Sequence, residues 1–200
     1  MTDAPAINPH RTALLVMDYQ QAIVGMIDDS DALVARAAQA IDVVRSSGGH
    51  VGYVRVAFTE ADLQNIPPTS SMGTRIASGP QGFMDDSPTT QIDERVAPRD
   101  GDIMVRKTRV GAFSTTDLAQ QLADRGVDTL ILAGISTSGV VLSTVRDGAD
   151  RDYALYVLSD ATADRETSVH ECLMEQVFPR QATVITVSEL EGLLGAAAEA

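Results

Sequence analysis

The chain has 200 residues, a mass of 21.2 kDa and 44% hydrophobic residues, enough for the core of one compact domain spanning 1–200. Its net charge of -13 repels phosphate backbones and anionic lipids, which argues against binding to nucleic acid or to a membrane surface. Because no apolar run approaches the roughly 20 residues of a membrane span and the first ten residues lack signal-peptide features, we expect a soluble cytoplasmic protein.

The first half of the chain begins with alternating strand and helix patterns. The continuous apolar run at 12–18 (TALLVMD) predicts a strand that is buried on both faces. Apolar residues at helical spacing predict a helix over 31–47, and a second strand is predicted over 51–58. The segment 59–101 has weak periodicity and five prolines, including Pro80. So long an irregular segment predicts a lid, a binding loop or an oligomer contact.

The alternation resumes in the second half of the chain. Further strands are predicted over 102–107, 129–133, 153–158 and 182–187. Ser114 with Asp117, and Ser188 with Glu191, have the spacing of helix caps, and Pro179 ends the helix predicted over 169–177. Six strands that alternate with helices predict an α/β fold, a doubly wound six-stranded parallel sheet with helices on both faces.

Two charged residues follow or end predicted strands at the edge where ligands bind in open α/β sheets. Asp18 ends the first strand and Lys107 ends the third, so we expect a carboxylate and an ammonium to pair at neighbouring strand ends. Lys107 is the only lysine beside 14 arginines, and a compact ammonium differs in function from a guanidinium. A structural ion pair is the alternative. Because this edge is the usual functional face, we favour a functional site.

The segment 134–140 (GISTSGV) forms the turn between the fourth strand and the next helix. Backbone N–H groups at the start of a helix lack intrahelical partners and can bind an anion or an oxyanion. The segment matches neither common nucleotide-binding fingerprint. The alternative is an ordinary glycine- and serine-rich helix cap.

Three segments together resemble the isochorismatase-like hydrolases over nearly the whole chain. They are LLVMDYQ at 14–20, APRDGDIMVRKTRVGAFSTTDL at 97–118 and TLILAGISTSGVVLST at 129–144. In cysteine-using members of this family, an aspartate is the general base, a lysine supports it and a cysteine is the nucleophile. The resemblance assigns the first two roles to Asp18 and Lys107 and places Val140 where the cysteine would be.

The resemblance therefore implies a hydrolase that does not use a cysteine. The single cysteine, Cys172, lies on a later predicted helix and is expected to be a buried small apolar residue. The metal-binding pattern of nicotinamidase is absent at 53–59 (YVRVAFT), and His10, His50 and His170 are widely separated. We predict no metal and no cofactor. Since family members are commonly homo-oligomers, we expect a homo-oligomer.

Several reactions remain open without a thiol. True isochorismatases, as the resemblance implies, cleave a vinyl ether with the aspartate as general acid and release pyruvate. Ser136, Ser138 and Ser143 are nearby hydroxyls, but no histidine is placed by the sequence to activate one. We predict hydrolysis of a small carboxylated or carbonyl-containing metabolite, with Asp18 and Lys107 as acid/base pair. The alternatives are a catalytically silent relative that binds a small molecule or serves as a subunit, and direct attack of water on an amide.

Further residues are candidates for binding the substrate. Lys107, Gln20, Arg109 and Arg55 could hold a substrate carboxylate, and Phe113 is either a pocket wall or ordinary core. At the turn, Ser136 lines the site and the Gly139 and Val140 amides receive developing negative charge. A cis peptide between Ile135 and Ser136 fits the resemblance. Burial raises the pKa of Asp18 and Lys107 lowers it, so the sequence leaves the direction of the net shift open.

Overall fold

The computed structural model describes residues 7–73 and 83–198, and side chains up to residue 194. Six parallel strands form one sheet in the order β3-β2-β1-β4-β5-β6. The strands are β1 (Thr12–Met17), β2 (His50–Val56), β3 (Ile103–Lys107), β4 (Thr129–Ile135), β5 (Ala154–Ala163) and β6 (Thr183–Ile185). The strand order reverses between β1 and β4, so the predicted doubly wound parallel sheet is confirmed.

Helices connect and flank these strands. They are α1 (Gln21–Val24), α2 (Ser30–Ser46), α3 (Glu60–Gln64), α4 (Leu118–Ala123), α5 (Leu142–Ala149), α6 (Thr167–Cys172) and α7 (Val187–Ala198). A π-helix over Thr137–Val141 precedes α5, and another over Leu173–Val177 follows α6. Across the described ranges, no helix is both long and apolar enough to cross a membrane.

The core has two halves, one on each face of the sheet. Every residue of β1 is buried, and its successive side chains point to opposite faces. Leu14 and Val16 pack in the cluster that contains the buried face of α2, whereas Leu15 and Met17 pack in the cluster that contains Leu118 of α4. Helices therefore cover both faces, which explains why the β1 sequence is continuously apolar.

Both predicted helix caps differ from the observed ones. Helix α4 begins at Leu118, and the side chain of its N-cap residue Asp117 makes no capping hydrogen bond; the Leu118 N–H donates instead to Thr116 Oγ1 at 3.4 Å. At α7 the observed cap is Thr186 with Glu189, because the Thr186 N–H donates to Glu189 Oε2 at 2.7 Å and the Glu189 N–H donates to Thr186 Oγ1 at 3.3 Å. Strand β6 ends two residues earlier than predicted, so an earlier hydroxyl side chain takes the capping position.

The described parts of the segment 59–101 contain only short helices. Its return past β2 is fixed by hydrogen bonds, including one from the Phe58 N–H to the Phe83 carbonyl at 2.8 Å. Arg55 of β2 also pairs with Asp85 at 2.6 Å. Pro80 lies in 74–82, outside the described residues. A lid, binding loop or oligomer contact in this segment stays a prediction.

The expected burial of Cys172 is wrong. Cys172 ends α6 and is exposed, whereas the next two residues, Leu173 and Met174, are buried in the core. The side of the helix that faces the core is therefore formed by Leu173 and Met174, and the Cys172 thiol lies at the surface.

Candidate active site

Asp18 and Lys107 form an ion pair at the carboxyl edge of the sheet. Lys107 Nζ lies 2.8 Å from Asp18 Oδ2, and both side chains are almost fully buried. The expected pairing is present, but the strands that carry the pair are not neighbours, because β2 lies between β1 and β3. Two strand spacings amount to about 10 Å. The long, unbranched lysine side chain bridges this gap over the end of β2.

The backbone at Asp18 is in the left-handed region, with φ of 60°. Such a conformation costs a non-glycine residue on the order of 1 kcal/mol or more and is tolerated by aspartate better than by most residues. The Asp18 N–H donates to the Val54 carbonyl at 2.8 Å, which holds the bend directly after β1. The fold thus accepts a local cost that turns this carboxylate toward Lys107.

All three N–H donors of the Lys107 ammonium have acceptors inside the protein. Besides Asp18, Nζ donates to the carbonyls of Arg109 at 3.3 Å and Val110 at 3.0 Å. An ammonium has three donors, so none is left for a substrate carboxylate. This geometry argues against the expectation that Lys107 binds a substrate carboxylate. A planar guanidinium has five donors and would not suit this position, which is 2% exposed and offers three acceptors. This explains why a lysine is used here in a chain that otherwise uses arginine.

Asp18 combines burial with one unsatisfied oxygen. Among the described residues, its Oδ1 is buried and has no hydrogen-bond partner. Burial raises the pKa of Asp18, Lys107 lowers it, and the net pKa lies above the ordinary value of 3.8. The net shift is upward because the cost of removing this carboxylate from water exceeds the attraction of one ammonium.

A cavity of about 350 Å³ opens over this pair. Besides Asp18 and Lys107, it is lined by Ser136, Gly139 and Val140 of the predicted turn. Its apolar lining includes Ile23, Ile27, Val56, Met72, Phe83 and Ile135. This size and mostly apolar lining, with a few polar groups, are typical of a small-molecule site.

The turn after β4 has a cis peptide between Ile135 and Ser136, which fits the family resemblance. We call residues 136–139 the β4 turn. The Ser136 carbonyl accepts the Gly139 N–H at 3.2 Å and the Val141 N–H at 3.3 Å. The Gly139 amide, expected to receive developing charge, therefore already has a partner. A Cβ on Gly139 would lie 2.8 Å from Ser136 Oγ, so a larger residue there would displace the Ser136 hydroxyl from its present position.

Gln20 and the Arg109 side chain do not line the cavity in the described part of the chain. Gln20 Nε2 donates to the carbonyls of Val56 and Thr90 at 2.9 and 2.7 Å, and its Oε1 accepts the Val56 N–H at 2.7 Å. Gln20 therefore ties the end of β2 to the returning segment. Arg109 contributes its backbone carbonyl to Lys107, while its guanidinium bonds to the Thr108 carbonyl at 2.7 Å.

Among the described residues, Phe113 and Arg55 also do not line the cavity. Phe113 is buried, stacks on Tyr153 with ring centroids 5.9 Å apart, and lies under the Arg151 guanidinium. It belongs to the core, one of the two roles left open. Arg55 is paired with Asp85.

Arg165 lines the cavity and was missed in the sequence. It is exposed, and its guanidinium has no hydrogen-bond or ion-pair partner within 7–73 and 83–194. The predicted end of β5 at residue 158 is wrong, since the strand continues through Ser159 and Asp160 to Ala163 after a register shift against β4. Arg165 follows this true carboxyl end, where the rule for open sheets would have found it.

A second, more polar cavity of about 410 Å³ adjoins the first one and shares Arg165 with it. His170 lines the second cavity, and its Nδ1 lies 2.8 Å from Thr137 Oγ1. Burial lowers the pKa of His170, although the nearby Asp164 and Glu171 carboxylates raise it. The imidazole is thereby held toward its neutral form, in contact with the β4 turn.

The isochorismatase domain family matches the chain over residues 12–189. The chain belongs to the isochorismatase family. It is 34% identical over 183 residues to YwoC, an uncharacterized isochorismatase family protein of Bacillus subtilis, with 92% of this chain and 94% of that protein covered. It is 29% identical over 211 residues to RutB, a ureidoacrylate amidohydrolase of Methylobacterium radiotolerans, with 95% and 82% covered. An isochorismatase family protein from Burkholderia thailandensis superposes with a TM-score of 0.82 at 26% identity, covering 96% and 98%.

Membership of the isochorismatase family makes this protein a hydrolase of small metabolites, as the resemblance implied. Within the family fold, Val140 is 2% exposed and lines the cavity that also contains Asp18. The only cysteine of the chain is exposed at the end of α6. A thiol is therefore absent from the cavity of this isochorismatase-family hydrolase.

Proposed function

We propose that this isochorismatase-family hydrolase cleaves a vinyl ether in a small carboxylated metabolite, with Asp18 as general acid and no cysteine nucleophile. The observation that carries the proposal is the Asp18 carboxyl in the cavity, with a buried Oδ1 that has no partner among the described residues. Lys107 holds the other oxygen at 2.8 Å and so orients the carboxyl group. Together they form the acid/base pair.

The environment of Asp18 favours an acid over a base. Its raised pKa increases the fraction of neutral carboxyl near pH 7. In the neutral form the proton resides on Oδ1, because Oδ2 accepts a hydrogen bond from Lys107. A donor of this kind is what carbon protonation of a vinyl ether requires, whereas activation of water for attack on an amide requires the carboxylate.

The proposed reaction consumes only the vinyl ether and one water molecule. Asp18 transfers its proton to the terminal carbon of the enol ether, the carbon–carbon π bond supplies the electron pair, and an oxocarbenium ion forms. Water adds to the cationic carbon and returns a proton to the Asp18 carboxylate. The hydroxyl proton of the resulting hemiketal passes to the ether oxygen as the bond between this oxygen and the hemiketal carbon breaks. The ether oxygen leaves as an alcohol, and the other fragment becomes a ketone such as pyruvate.

The residue at the nucleophile position supports a reaction that has no thioester. Val140 supplies an apolar wall beside Asp18 and no group that could attack a carbonyl. Ser136 also lines the cavity, but His170 is hydrogen-bonded to Thr137 and does not contact that serine in the described hydrogen bonds. A serine nucleophile would therefore lack an activating base.

Arg165 is the group that we assign to the substrate carboxylate. The three donors of Lys107 are engaged, whereas Arg165 lines the cavity and its guanidinium has no partner among the described residues. Guanidinium and carboxylate pair in a bidentate geometry that also fixes orientation. Arg165 would thus hold the charged end of the substrate while Asp18 acts on the enol ether.

A catalytically silent relative is a second candidate, and the absence of a thiol at Val140 favours it. The test is mass-spectrometric turnover of vinyl ethers, amides and carbamoyl compounds by the wild type, by Asp18→Asn and by the surface control Asp147→Asn. We expect pyruvate release from vinyl ethers that is lost only in Asp18→Asn. Ammonia release by the wild type would replace this function with amide hydrolysis, and absence of turnover across the panel would favour the silent relative.

A further inference from the structure

Two side chains that follow β5 hold the β4 turn. Asp164 Oδ2 accepts two hydrogen bonds from Ser138, one from its backbone N–H at 2.8 Å and one from its hydroxyl at 2.7 Å. His170 Nδ1 hydrogen-bonds to Thr137 Oγ1 at 2.8 Å. Bonds of this length to a carboxylate are charge-assisted and stronger than bonds between neutral groups. The β4 turn is thus fixed to the segment after β5 at two points.

Asp164 joins the two sides of the cavity that the proposed reaction uses. Arg165 is the next residue after Asp164 and lines the cavity from the β5 side. On the other side, Ser138 lies between Ser136 and Gly139, which both line the cavity. The contact between Asp164 and Ser138 therefore links the backbone that carries Arg165 to the backbone of the β4 turn. Asp164 itself is absent from the described lining of this cavity, so it acts through these neighbours.

We propose that Asp164 is a positioning residue that sets the distance between Arg165 and the β4 turn. This role rests on the proposed function, because it takes Arg165 as the group that holds the substrate carboxylate. Arg165 would fix the substrate carboxylate at one point of the cavity, while the reacting atoms of the substrate lie at another. The distance between these two points decides whether the substrate is aligned for reaction. A misplacement of about 1 Å is enough to cost on the order of 10²-fold in rate.

The hydrogen bonds give this role a distinctive mutational pattern. Both bonds from Ser138 end on one oxygen of Asp164, so Asp164→Asn can accept both with its single carbonyl oxygen. Asp164→Ala removes both bonds, and Ser138→Ala removes only the hydroxyl bond. The contact between His170 and Thr137 stays in each variant and continues to hold the β4 turn. We expect the effects to increase in the order Asp164→Asn, Ser138→Ala, Asp164→Ala.

The test measures equilibrium binding of pyruvate and of its uncharged methyl ester by NMR titration, which requires no turnover. The proteins are the wild type, Asp164→Ala, Asp164→Asn, Ser138→Ala, Arg165→Gln, the double variant with both Asp164→Ala and Arg165→Gln, and the surface control Asp147→Ala. We expect Asp164→Ala and Arg165→Gln each to weaken pyruvate binding about tenfold, in keeping with loss of a charge-assisted contact, and to leave the ester unchanged. Asp164→Asn should bind pyruvate within about threefold of the wild type.

The double variant decides whether Asp164 acts through Arg165. We expect it to bind pyruvate no more weakly than Arg165→Gln, because two residues in one linkage are not additive. Additive losses, equal losses for pyruvate and its ester, or no rescue by Asp164→Asn would each overturn the positioning role. Failure of the proposed function is separate, since it appears as wild-type turnover that does not release pyruvate or does not depend on Asp18.

Discussion

Lys107 Nζ lies 2.8 Å from Asp18 Oδ2 although β2 separates the two strands that carry them. The same ammonium donates to two backbone carbonyls that follow β3, so its charge is fully used inside the protein. Lys107 therefore fixes the orientation of the carboxyl group and has no N–H donor left for a substrate. The proposed acid, Asp18, and the proposed substrate anchor, Arg165, are therefore different residues.

Removal of the ammonium should destabilise the protein in a pH-dependent way. Lys107→Met leaves Asp18 without its partner, and breaking a buried ion pair costs about 3–5 kcal/mol when the remaining group stays charged. Since Lys107 lowers the pKa of Asp18, that pKa should rise further in the variant, and protonation at low pH should relieve part of the cost. Urea unfolding at pH 7 and pH 5 measures the difference. An equal loss of unfolding free energy at both pH values would contradict the buried-charge explanation.

The raised pKa of Asp18 makes its contribution to stability fall with rising pH. The folded state binds this proton more tightly than the unfolded state, so the contribution is complete below about 3.8 and is lost as pH rises through the folded pKa. Asp62, Asp93 and Glu189 have lowered pKa values and the opposite dependence. These three residues are present in both the wild type and Asp18→Asn, so their contributions cancel when the unfolding free energy of the variant is subtracted from that of the wild type. This difference should decrease as pH rises. An increase with pH would contradict a raised pKa of Asp18.

Introducing a thiol at position 140, the proposed nucleophile position, should change the chemistry of the site. In Val140→Cys a thiol replaces an apolar wall of the cavity, and we expect slow ammonia release from amides that the wild type does not hydrolyse. The smaller side chain should lower the unfolding free energy by about 1 kcal/mol. Val145→Cys, equally buried on α5 but outside the described cavity lining, is the matched control. Equal ammonia release by both variants would show that position 140 has no special placement.

Arg165→Gln should separate substrate binding from the chemical step. We expect KM for carboxylated substrates to rise about tenfold or more and KM for uncharged analogues to change little, because one charge-assisted contact is lost. Arg180→Gln, at another exposed arginine, should leave both constants unchanged. Steady-state kinetics on a charged and uncharged substrate pair makes the comparison. A similar rise in KM for both members would remove Arg165 from carboxylate binding.

The sequence was sufficient to predict the site residues that lie at the ends of strands, Asp18 and Lys107. The continuous apolar run of β1 specifies burial on both faces, which requires a parallel sheet covered by helices, and this places Asp18 at the functional edge. Lys107 followed from the same rule and from its being the only lysine. These features are local in the sequence and are set by the physics of parallel sheets.

The residues that sequence reasoning misassigned depend on contacts that are distant in the chain. Gln20 is an amide beside the catalytic candidate, but its donors and acceptor are used by backbone groups 36 and 70 residues away. Arg165 was missed because the polar residues Ser159 and Asp160 interrupt the apolar pattern of β5, although pairing with β4 resumes beyond them. Propensity and periodicity carry no information about such pairing.

The measurement that tests the central claim most directly is the pKa of Asp18 in the folded protein. The carboxyl carbons of aspartate can be labelled with ¹³C and titrated by NMR, with Asp18→Asn identifying the signal. A pKa clearly above 3.8 is the expected result, because burial outweighs the attraction of Lys107. A pKa at or below 3.8 would mean that Asp18 is a carboxylate throughout the working range, and would contradict its role as a general acid.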